Sequence, residues 1–413
     1  MAEQTTIPAS AEYTVDLARP VPRAMADELA RRLLFASERI ARFTLVEDES
    51  GQVRRVKVGT DRPTDADELA HKINLLAETH VSSGLGRRTA TVWSSARTGP
   101  AARPVLAELT ARGLVTQPSP GAVAVGGAVL DLLLRLDGLL RDLAVTRFGA
   151  VEFRYPTLLP TRTLRRTGYL ASFPQHVMFA TRLHADIDIY REFLGALPGA
   201  AGERELEQLV LDHCDSAEYS LPPTMCYHTF QQFAQQNLDS GSAVVTARGK
   251  SFRHEGRYRD GMERLWDFTI REIVFLGPRE FALSCRDRFL RLTAELFDEL
   301  DLMGHCEIAD DPFLGDAPAD ESAAAQRMLE LKYEMRLSVA PDRTVAVASF
   351  NRHDRHFTEP FGIGLADGGD AHSACVGFGL ERLAYAVLCQ HGIDPSTWPP
   401  LLRGPVRHDE AGA

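Results

Sequence analysis

Apolar and polar positions recur with two distinct periods over the first 95 residues. A period of two predicts strands at EYTVDL (12–17), 43–46 and 53–58, and a period near 3.6 predicts helices over 24–36 and after Thr64 and Asp65. With a last strand in RTATVW (88–93), the order is that of a βαββαβ unit. We therefore predict a small N-terminal α+β domain, ferredoxin-like in outline, over residues 1–95.

A stretch rich in glycine, proline, alanine and serine follows this unit. It includes RTGPAARP and QPSPG, and it predicts a linker over 96–124 with at most one short helix near 105–112. The leucines of AVLDLLLRLDGLLRDLAVTRF (128–148) then recur at helical spacing, which suits either a core or a dimer seam. We predict a larger domain over 125–404, a surface loop or a frayed helix start at 317–325, and a disordered tail over 405–413.

Composition places the chain among ordinary folded proteins and narrows its partners. Of 413 residues, 44% are hydrophobic and 25% charged, and the net charge is −11. The first 95 residues hold thirteen basic and fourteen acidic residues, so a nucleic-acid arm is not evident and tRNA is an unfavoured partner. Without a signal-like N-terminus, a long apolar stretch or a CxxC pair, we expect a cytoplasmic protein that has reduced thiols and no membrane contact.

The segment SFRHEGRYRDGMERLWDFTIREIVFLG (251–277) reads as two strands of an antiparallel hairpin around a polar loop. Alternation puts Arg253 and Glu255 on one face, where they could bind a phosphate and an exocyclic amine, or form a cross-strand salt bridge. On the returning strand, Glu272 is a carboxylate among apolar neighbours. Such a group needs a partner, either an arginine or a metal ion.

Near the C-terminus, ACVGFGLERLAYAVLCQHG (374–392) reads as a glycine-bearing strand that continues into a helix. It lacks the GxGxxG dinucleotide pattern, because Arg382 stands where the last glycine would fall. The glycines allow a ligand to approach the backbone, and Arg382 is either a phosphate-binding or a solvated side chain.

In order along the chain, these segments resemble the signature motifs of the class II aminoacyl-tRNA synthetases. FRHE followed by DFTIREIVF resembles motif 2, CVGFGLER resembles motif 3, and the leucine-rich helix with FGAVEFRYPTLLP resembles motif 1, the dimerisation element. The resemblance implies an α+β fold with an antiparallel sheet flanked by helices, a homodimer, and ATP-dependent formation of an aminoacyl adenylate. The greatest likeness is to the zinc-dependent seryl-tRNA synthetases of methanogens and to amino acid:[carrier protein] ligases.

The same resemblance implies roles for particular residues. Zn²⁺ would be bound by Cys226, Glu272 and Cys375, which lie 46 and 103 positions apart, with His305 and Cys306 as fallback ligands. For catalysis and ATP binding, the roles fall to three side chains. Arg253 would bridge the substrate carboxylate and the α-phosphate, Glu255 would hold the adenine amine, and Arg382 would bind the γ-phosphate.

One strand departs from the family pattern. TVAVASFN (344–351) has no carboxylate where the class II enzymes carry a metal ligand, which leaves the placement of Mg²⁺ open. Ser349 and Asn351 are expected in the amino-acid pocket, although Asn351 also suits a turn. Lys332 and Glu334 on the preceding strand form either a salt bridge or part of the ligand site.

FNRHDRHFTEPFGI and a helical insertion between Leu183 and Pro222 resemble the carrier-protein ligases more than the synthetases. The expected function is therefore activation of glycine, alanine or serine with ATP and transfer to the phosphopantetheine thiol of an acyl or peptidyl carrier protein. Charging of tRNA is one alternative, because a domain of similar outline to residues 1–95 serves tRNA in methanogen-type synthetases. A non-catalytic paralogue is the other.

Overall fold

The computed structural model of the chain describes residues 10–33, 35–80, 91–97, 101–256, 261–309 and 332–403. The predicted loop at 317–325 and the predicted tail lie outside these residues. Within the part of the chain that the structure describes, no helix combines the length and the apolar character that a bilayer crossing requires.

The N-terminal unit contains three strands and two helices: β1 (Ala11–Val21), α1 (Ala26–Leu33), β2 (Ile40–Glu47), β3 (Val53–Thr60) and α2 (Ala66–His80). Strand β3 lies between β1 and β2 and is antiparallel to both, as in a split β-α-β unit. Leu29, Val56 and Ile73 are fully buried between sheet and helices. The carboxylate of Asp65 accepts from the backbone N–H groups of two residues in the first turn of α2.

The fourth predicted strand forms, but its assignment to this N-terminal unit is wrong. RTATVW supplies β4 (Thr91–Ser94), which pairs antiparallel with β14 (Gly304–Ile308) of a second, larger sheet. There the Trp93 ring packs edge-on against Phe297, and its indole N–H donates to Asp298. The large ring therefore packs against helix α10 (Arg279–Glu299) and the core of the larger domain.

The predicted linker is also wrong in part. It contains the expected short helix, α3 (Leu106–Ala111), but also a hairpin of β5 (Val115–Ser119) and β6 (Ala122–Val125). Gly121 turns this hairpin with φ +71°, and its carbonyl accepts the Trp266 backbone N–H at 2.7 Å. A Cβ on Gly121 would lie 2.4 Å from Cγ of Trp266, so only glycine permits this approach.

The larger sheet has eight strands in the order β4-β14-β15-β16-β18-β13-β12-β7. It is antiparallel except where β7 runs parallel to β12 at one edge, which confirms the predicted α+β class. The strands not yet given are β7 (Val151–Phe153), β12 (Ala243–Phe252), β13 (Asp267–Gly277), β15 (Lys332–Ala340), β16 (Arg343–Asp354) and β18 (His372–Gly379). Strands β12 and β13 form an antiparallel hairpin as predicted, but β12 lies mostly before the segment from which it was predicted and shares only Ser251 and Phe252 with it.

Helices cover both faces of this sheet. One face packs against the long helices α4 (Gly127–Phe148), α10 (Arg279–Glu299) and α12 (Leu380–His391) around a core that includes Phe275, Phe289 and Phe378. The other face packs against α5 (Thr161–Arg166), α6 (Tyr169–Ser172), α9 (Cys226–Gln232) and α11 (Thr358–Phe361). This second face holds the candidate site.

Two smaller sheets and the predicted insertion complete the described structure. Strands β8 (Leu159–Pro160), β9 (Met178–Leu183) and β10 (Cys214–Leu221) form a three-stranded sheet, and β11 (Asn237–Leu238) pairs with β17 (Gly364–Leu365). The insertion between β9 and β10 is a pair of helices, α7 (Ile187–Ala196) and α8 (Glu203–His213). These helices contain no fully buried side chain.

Candidate active site and metal centre

Two thiols and one carboxylate from distant parts of the chain converge on the second face of the large sheet. Cys226 begins helix α9, Glu272 lies in the middle of β13, and Cys375 lies on the adjacent strand β18. Their ligand atoms all lie within 4.8 Å of one another, and the residues are 4%, 4% and 3% exposed. The fold thus assembles the residue set that the family resemblance implied.

Neighbouring groups orient the carboxylate. The Thr224 hydroxyl lies 3.0 and 2.8 Å from the two carboxylate oxygens of Glu272, and the Cys226 backbone N–H donates to one of them at 2.7 Å. No arginine or lysine among the described residues forms an ion pair with Glu272. Among these residues, Glu272 therefore does not form the ion pair with an arginine that the sequence left open as one alternative.

Burial makes this group of three costly to ionise. It raises the pKa of Glu272 and raises the pKa of the Cys226 thiol well above its usual value. For Cys375, the hydrogen bond from Cys226 favours the thiolate, but burial and the charge of Glu272 outweigh it and raise the pKa. A bound cation would remove this penalty. Two thiolates and one carboxylate suit Zn²⁺ and leave a fourth tetrahedral position for a small ligand, so the residues fit the metal.

The two residues predicted for the amino-acid pocket lie beside this group. Strand β16 pairs with β18, and its register places Asn351 opposite Cys375 and Ser349 opposite Gly377. The Asn351 amide donates to Ser349 Oγ at 3.2 Å and to Cys375 Sγ at 3.5 Å. Asn351 therefore lies within a strand rather than in a turn.

A second group of charged residues surrounds the loop between β12 and β13. Strand β12 ends at Phe252, so the alternation that predicted a shared strand face for Arg253 and Glu255 does not reach them. The Glu255 carboxylate is nonetheless within electrostatic reach of Arg253, Arg264 and Arg382. Arg264 donates to it at 2.7 Å, as a salt bridge across the loop. Sequence reasoning missed Arg264, although its loop is dense in charge.

The charges of neighbouring residues shift the pKa values of both Glu255 and Arg382. Burial favours the neutral acid of Glu255, but Arg264 and the other positive neighbours outweigh it and lower the pKa of Glu255 below its usual value. Burial and repulsion from Arg264 lower the pKa of Arg382 to about 10. Arg382, in the first turn of α12, donates to two backbone carbonyls. Three guanidinium groups in one place, those of Arg253, Arg264 and Arg382, suit a polyphosphate.

The two groups are connected through the loop that precedes α9. The Arg253 Nε donates to the Pro223 carbonyl at 3.1 Å, three residues before Cys226. The buried Tyr227 hydroxyl is within electrostatic reach of both Cys226 and Arg253. The loop before α9 therefore links the thiol group to the arginine group.

The N-terminal unit also reaches this region. The Phe35 ring contacts the His176 ring edge-on, with centroids 5.7 Å apart. The His176 Nδ1 lies 3.2 Å from the His254 carbonyl oxygen, and the His254 backbone N–H donates to the His176 carbonyl at 3.0 Å. Phe35 thus contacts a residue that holds the loop carrying Arg253 and Glu255.

The remaining candidates do not join a metal group. Lys332 and Glu334 form a salt bridge at 3.1 Å. Glu334 lies opposite Ser349, so β15 places a carboxylate next to residues 344–351 of β16, which contain none. Cys306 is buried in the core that packs against α4, α10 and α12, on the face opposite the candidate site, and His305 lies 3.6 Å from Glu307. Among the described residues, these fallback ligands belong to no set of three metal-binding side chains.

Comparison with known proteins identifies relatives of two kinds, while no family model matches the chain. Over 281 residues the chain is 30% identical to the type-2 serine–tRNA ligase of Methanococcus aeolicus, a match that covers 67% of the chain and 53% of that protein. Over 280 residues it is 30% identical to amino acid–[acyl-carrier-protein] ligase 1 of Bradyrhizobium diazoefficiens, covering 64% of the chain and 80% of that protein. The chain thus spans about half the length of the serine–tRNA ligase.

Solved structures agree on the fold. M. kandleri SerRS, in complex with A. aeolicus tRNASec, superposes with a TM-score of 0.66 at 18% identity over 95% of both chains. The seryl-tRNA synthetase from Pyrococcus horikoshii complexed with ATP gives a TM-score of 0.57 at 15% identity, over 82% of this chain and 77% of that one. The fold is therefore that of a class II aminoacyl-tRNA synthetase.

Within that class, the chain belongs to the family that contains the amino acid–[acyl-carrier-protein] ligases and the type-2 serine–tRNA ligases.

Proposed function

We propose that the protein activates a small amino acid with ATP and transfers it to the phosphopantetheine thiol of an acyl or peptidyl carrier protein. The observation that carries the proposal is the buried Cys226/Glu272/Cys375 group beside the arginines that surround Glu255. One side suits an amine and the other a triphosphate. A non-catalytic paralogue would have no need for both sets of side chains.

The proposed chemistry has two steps. The substrate carboxylate attacks the α-phosphorus of ATP and pyrophosphate leaves, which gives an aminoacyl adenylate. The carrier thiol then loses its proton and attacks the acyl carbon, which gives a thioester and AMP. In such a reaction the protein acts chiefly through positioning and electrostatic stabilisation.

Each step uses side chains already described. Arg253, held by the Pro223 carbonyl, would orient the substrate carboxylate and the α-phosphate. Glu255 would accept from the adenine amine, and Arg382 would bind the γ-phosphate. Cys226, Glu272 and Cys375 would hold Zn²⁺, which when bound supplies a Lewis-acid position for a neutral α-amino group. Ser349 and Asn351 would line the pocket, and Mg²⁺ would accompany the phosphates.

The insertion helices α7 and α8 support a protein acceptor over tRNA. Residues 186–212 contain seven acidic and two basic residues, which is unfavourable for a phosphodiester backbone. The same helices expose large apolar side chains: Ile187 is 62% exposed, Leu194 63% and Leu211 67%. Exposed apolar groups of this size are typical of a protein-binding surface.

Two further features belong to this proposal. Val151 is exposed on β7, at the open edge of the large sheet, beside the motif 1 helix α4. We expect a homodimer to form at this edge, which light scattering on the purified protein would test. A site that requires two reduced cysteines also suits a reducing compartment such as the cytoplasm.

The first experiment is amino-acid-dependent exchange of labelled pyrophosphate into ATP, over a panel that begins with glycine, alanine and serine. We expect exchange with one or two small amino acids, and we expect a zinc chelator to abolish it. Cys226→Ser should lose both bound zinc and exchange, whereas Cys285→Ser, on helix α10, should keep both. No exchange with any amino acid would refute the proposal, and chelator-resistant exchange would refute the metal site.

The acceptor is tested separately. The enzyme is incubated with its amino acid, ATP and either a holo-carrier protein, the matching apo-carrier or bulk tRNA. Thioester formation on the holo form alone is the expected result. Charging of tRNA without loading of the carrier would favour serine–tRNA ligase activity instead. The M. aeolicus relative supports that activity about as well as the B. diazoefficiens relative supports transfer to a carrier.

A further inference from the structure

His353 contacts the metal-ligand group without belonging to it. It lies on β16, two residues after Asn351, and its Nε2 is 3.4 Å from Cys375 Sγ. Its other ring nitrogen, Nδ1, is 3.2 Å from Ser373 Oγ on the neighbouring strand. Ser373, His353 and Cys375 therefore form a continuous chain of polar contacts, in which Ser373 is 1% exposed.

Aromatic side chains hold the imidazole in this orientation. The Phe357 ring meets it edge-on with centroids 4.7 Å apart, and the Phe230 ring does so at 6.0 Å. Both phenylalanines are buried in the core beneath the site. A ring packed in this way keeps Nε2 directed at the sulfur with little loss of entropy on metal binding.

We propose that His353 is a positioning residue that donates an Nε2–H hydrogen bond to the Cys375 thiolate and so tunes it as a metal ligand. The inference rests on the proposed metal-binding role of Cys226, Glu272 and Cys375. A thiolate accepts hydrogen bonds and cannot donate one, so the proton of this contact must sit on Nε2. The Ser373 hydroxyl then donates to Nδ1, which fixes that tautomer.

The arrangement makes the two sulfur ligands unequal. Cys375 Sγ receives the His353 donor and also the Asn351 amide at 3.5 Å. Cys226 Sγ has the Thr224 hydroxyl at 3.8 Å, near the limit for a sulfur contact. Hydrogen bonds withdraw electron density from a thiolate, so Cys375 is the weaker donor to the metal. That difference would leave the ion more electrophilic toward a fourth ligand.

The geometry also separates His353 from the ligands themselves. Among the described residues, only Cys226, Glu272 and Cys375 bring ligand atoms within 4.8 Å of one another as a set. A fourth protein ligand would close the position that an amine requires. His353 acts on the metal through the sulfur and leaves that position open.

The test uses the full-length protein loaded with Co²⁺, whose thiolate-to-metal charge-transfer band reports directly on the sulfur donors. In His353→Phe we expect the band to move to lower energy, because the sulfur regains electron density. We also expect Zn²⁺ affinity, measured by chelator competition, to fall about tenfold or more, because the buried thiolate that the metal requires loses the donor that stabilises and orients it. His353→Gln, whose amide can donate, should recover most of both changes. Ser373→Ala should shift the band in the same direction by less, and His305→Gln is the matched control that should leave it unmoved.

Each outcome has one meaning. A charge-transfer band and a Zn²⁺ affinity in His353→Phe that match the unmodified protein would overturn the inference and leave the proposed function intact. Failure of the unmodified protein to bind Co²⁺ or Zn²⁺ would overturn the proposed metal site, and this inference with it. Equal losses in His353→Phe and His353→Gln would indicate packing rather than hydrogen bonding and would also overturn it.

Discussion

A buried ion network on the other face of the sheet leads to a quantitative prediction. Arg271, next to Glu272 on β13, is 2% exposed, and its guanidinium points toward helix α4. Asp137 on that helix accepts from Nε at 2.7 Å and from Nη2 at 2.9 Å, while Glu152 accepts from Nη1 at 2.8 Å. This network attaches the motif 1 helix to the strand that carries Glu272.

The two halves of the pair should not be equally costly to remove. Asp137→Ala leaves two buried N–H groups of Arg271 without an acceptor, and removing one partner of a buried pair costs about 3–5 kcal/mol. In Arg271→Met, Asp137 keeps Arg248 at 3.1 Å and Glu152 keeps Arg141. That variant leaves each carboxylate with a cation, so we expect it to cost only about 1–3 kcal/mol.

Urea unfolding followed by circular dichroism measures both effects. The matched control is Asp142→Ala on the same helix, where an exposed carboxylate pairs with Arg141 and the expected change is within about 0.5 kcal/mol. Added salt should leave the Asp137→Ala loss unchanged, because the pair is shielded from solvent. A loss below about 1 kcal/mol, or a larger loss in Arg271→Met, would refute the reasoning.

Two other predictions concern contacts made by the loop between β12 and β13. Gly121→Ala places a Cβ 2.4 Å from the Trp266 ring at φ +71°, whereas Gly113 has a similar φ of +68° and open space around it. We therefore expect Gly121→Ala to lower the free energy of unfolding in urea by about 1–3 kcal/mol more than Gly113→Ala does. Equal losses of stability in the two variants would contradict the clash. Phe35→Ala removes the ring that contacts His176. We therefore expect a several-fold higher KM for ATP in pyrophosphate exchange, with little change in the KM for the amino acid. An unchanged KM for ATP would count against a role for the N-terminal unit in positioning this loop.

Local signals in the sequence anticipated much of the fold. The segment SFRHEGRYRDGMERLWDFTIREIVFLG predicted β13 and a hairpin with the strand before it, although β12 begins eight residues before that segment; the leucine stripe predicted α4. Local signals also misassigned RTATVW, because a strand pattern does not say which sheet the strand joins. Local signals did not predict the β5–β6 hairpin, because its glycine and proline content is typical of a linker. The contact of Gly121 with Trp266, which identifies the turn, is made only in the folded chain.

The candidate site divides in the same way. Cys226, Glu272 and Cys375 were named through the order of the motifs, since spacings of 46 and 103 residues carry no local pattern. Thr224 and His353 were missed, although each contacts one of the three. Their roles depend on neighbours in other elements, and a threonine or histidine alone gives no signal.

The sequence by itself determined which residue types are available, where helices and strands begin, and which family motifs appear in which order. These properties follow from side-chain periodicity and backbone preferences, which act over a few residues. Alternation along β13 already puts Arg271 and Glu272 on opposite faces, but only the tertiary structure decided what each side chain meets, an ion network for Arg271 and two thiols for Glu272. Pairing between strands that are distant along the chain, and burial that raises the pKa of carboxyl and thiol groups alike, exist only once the chain has folded.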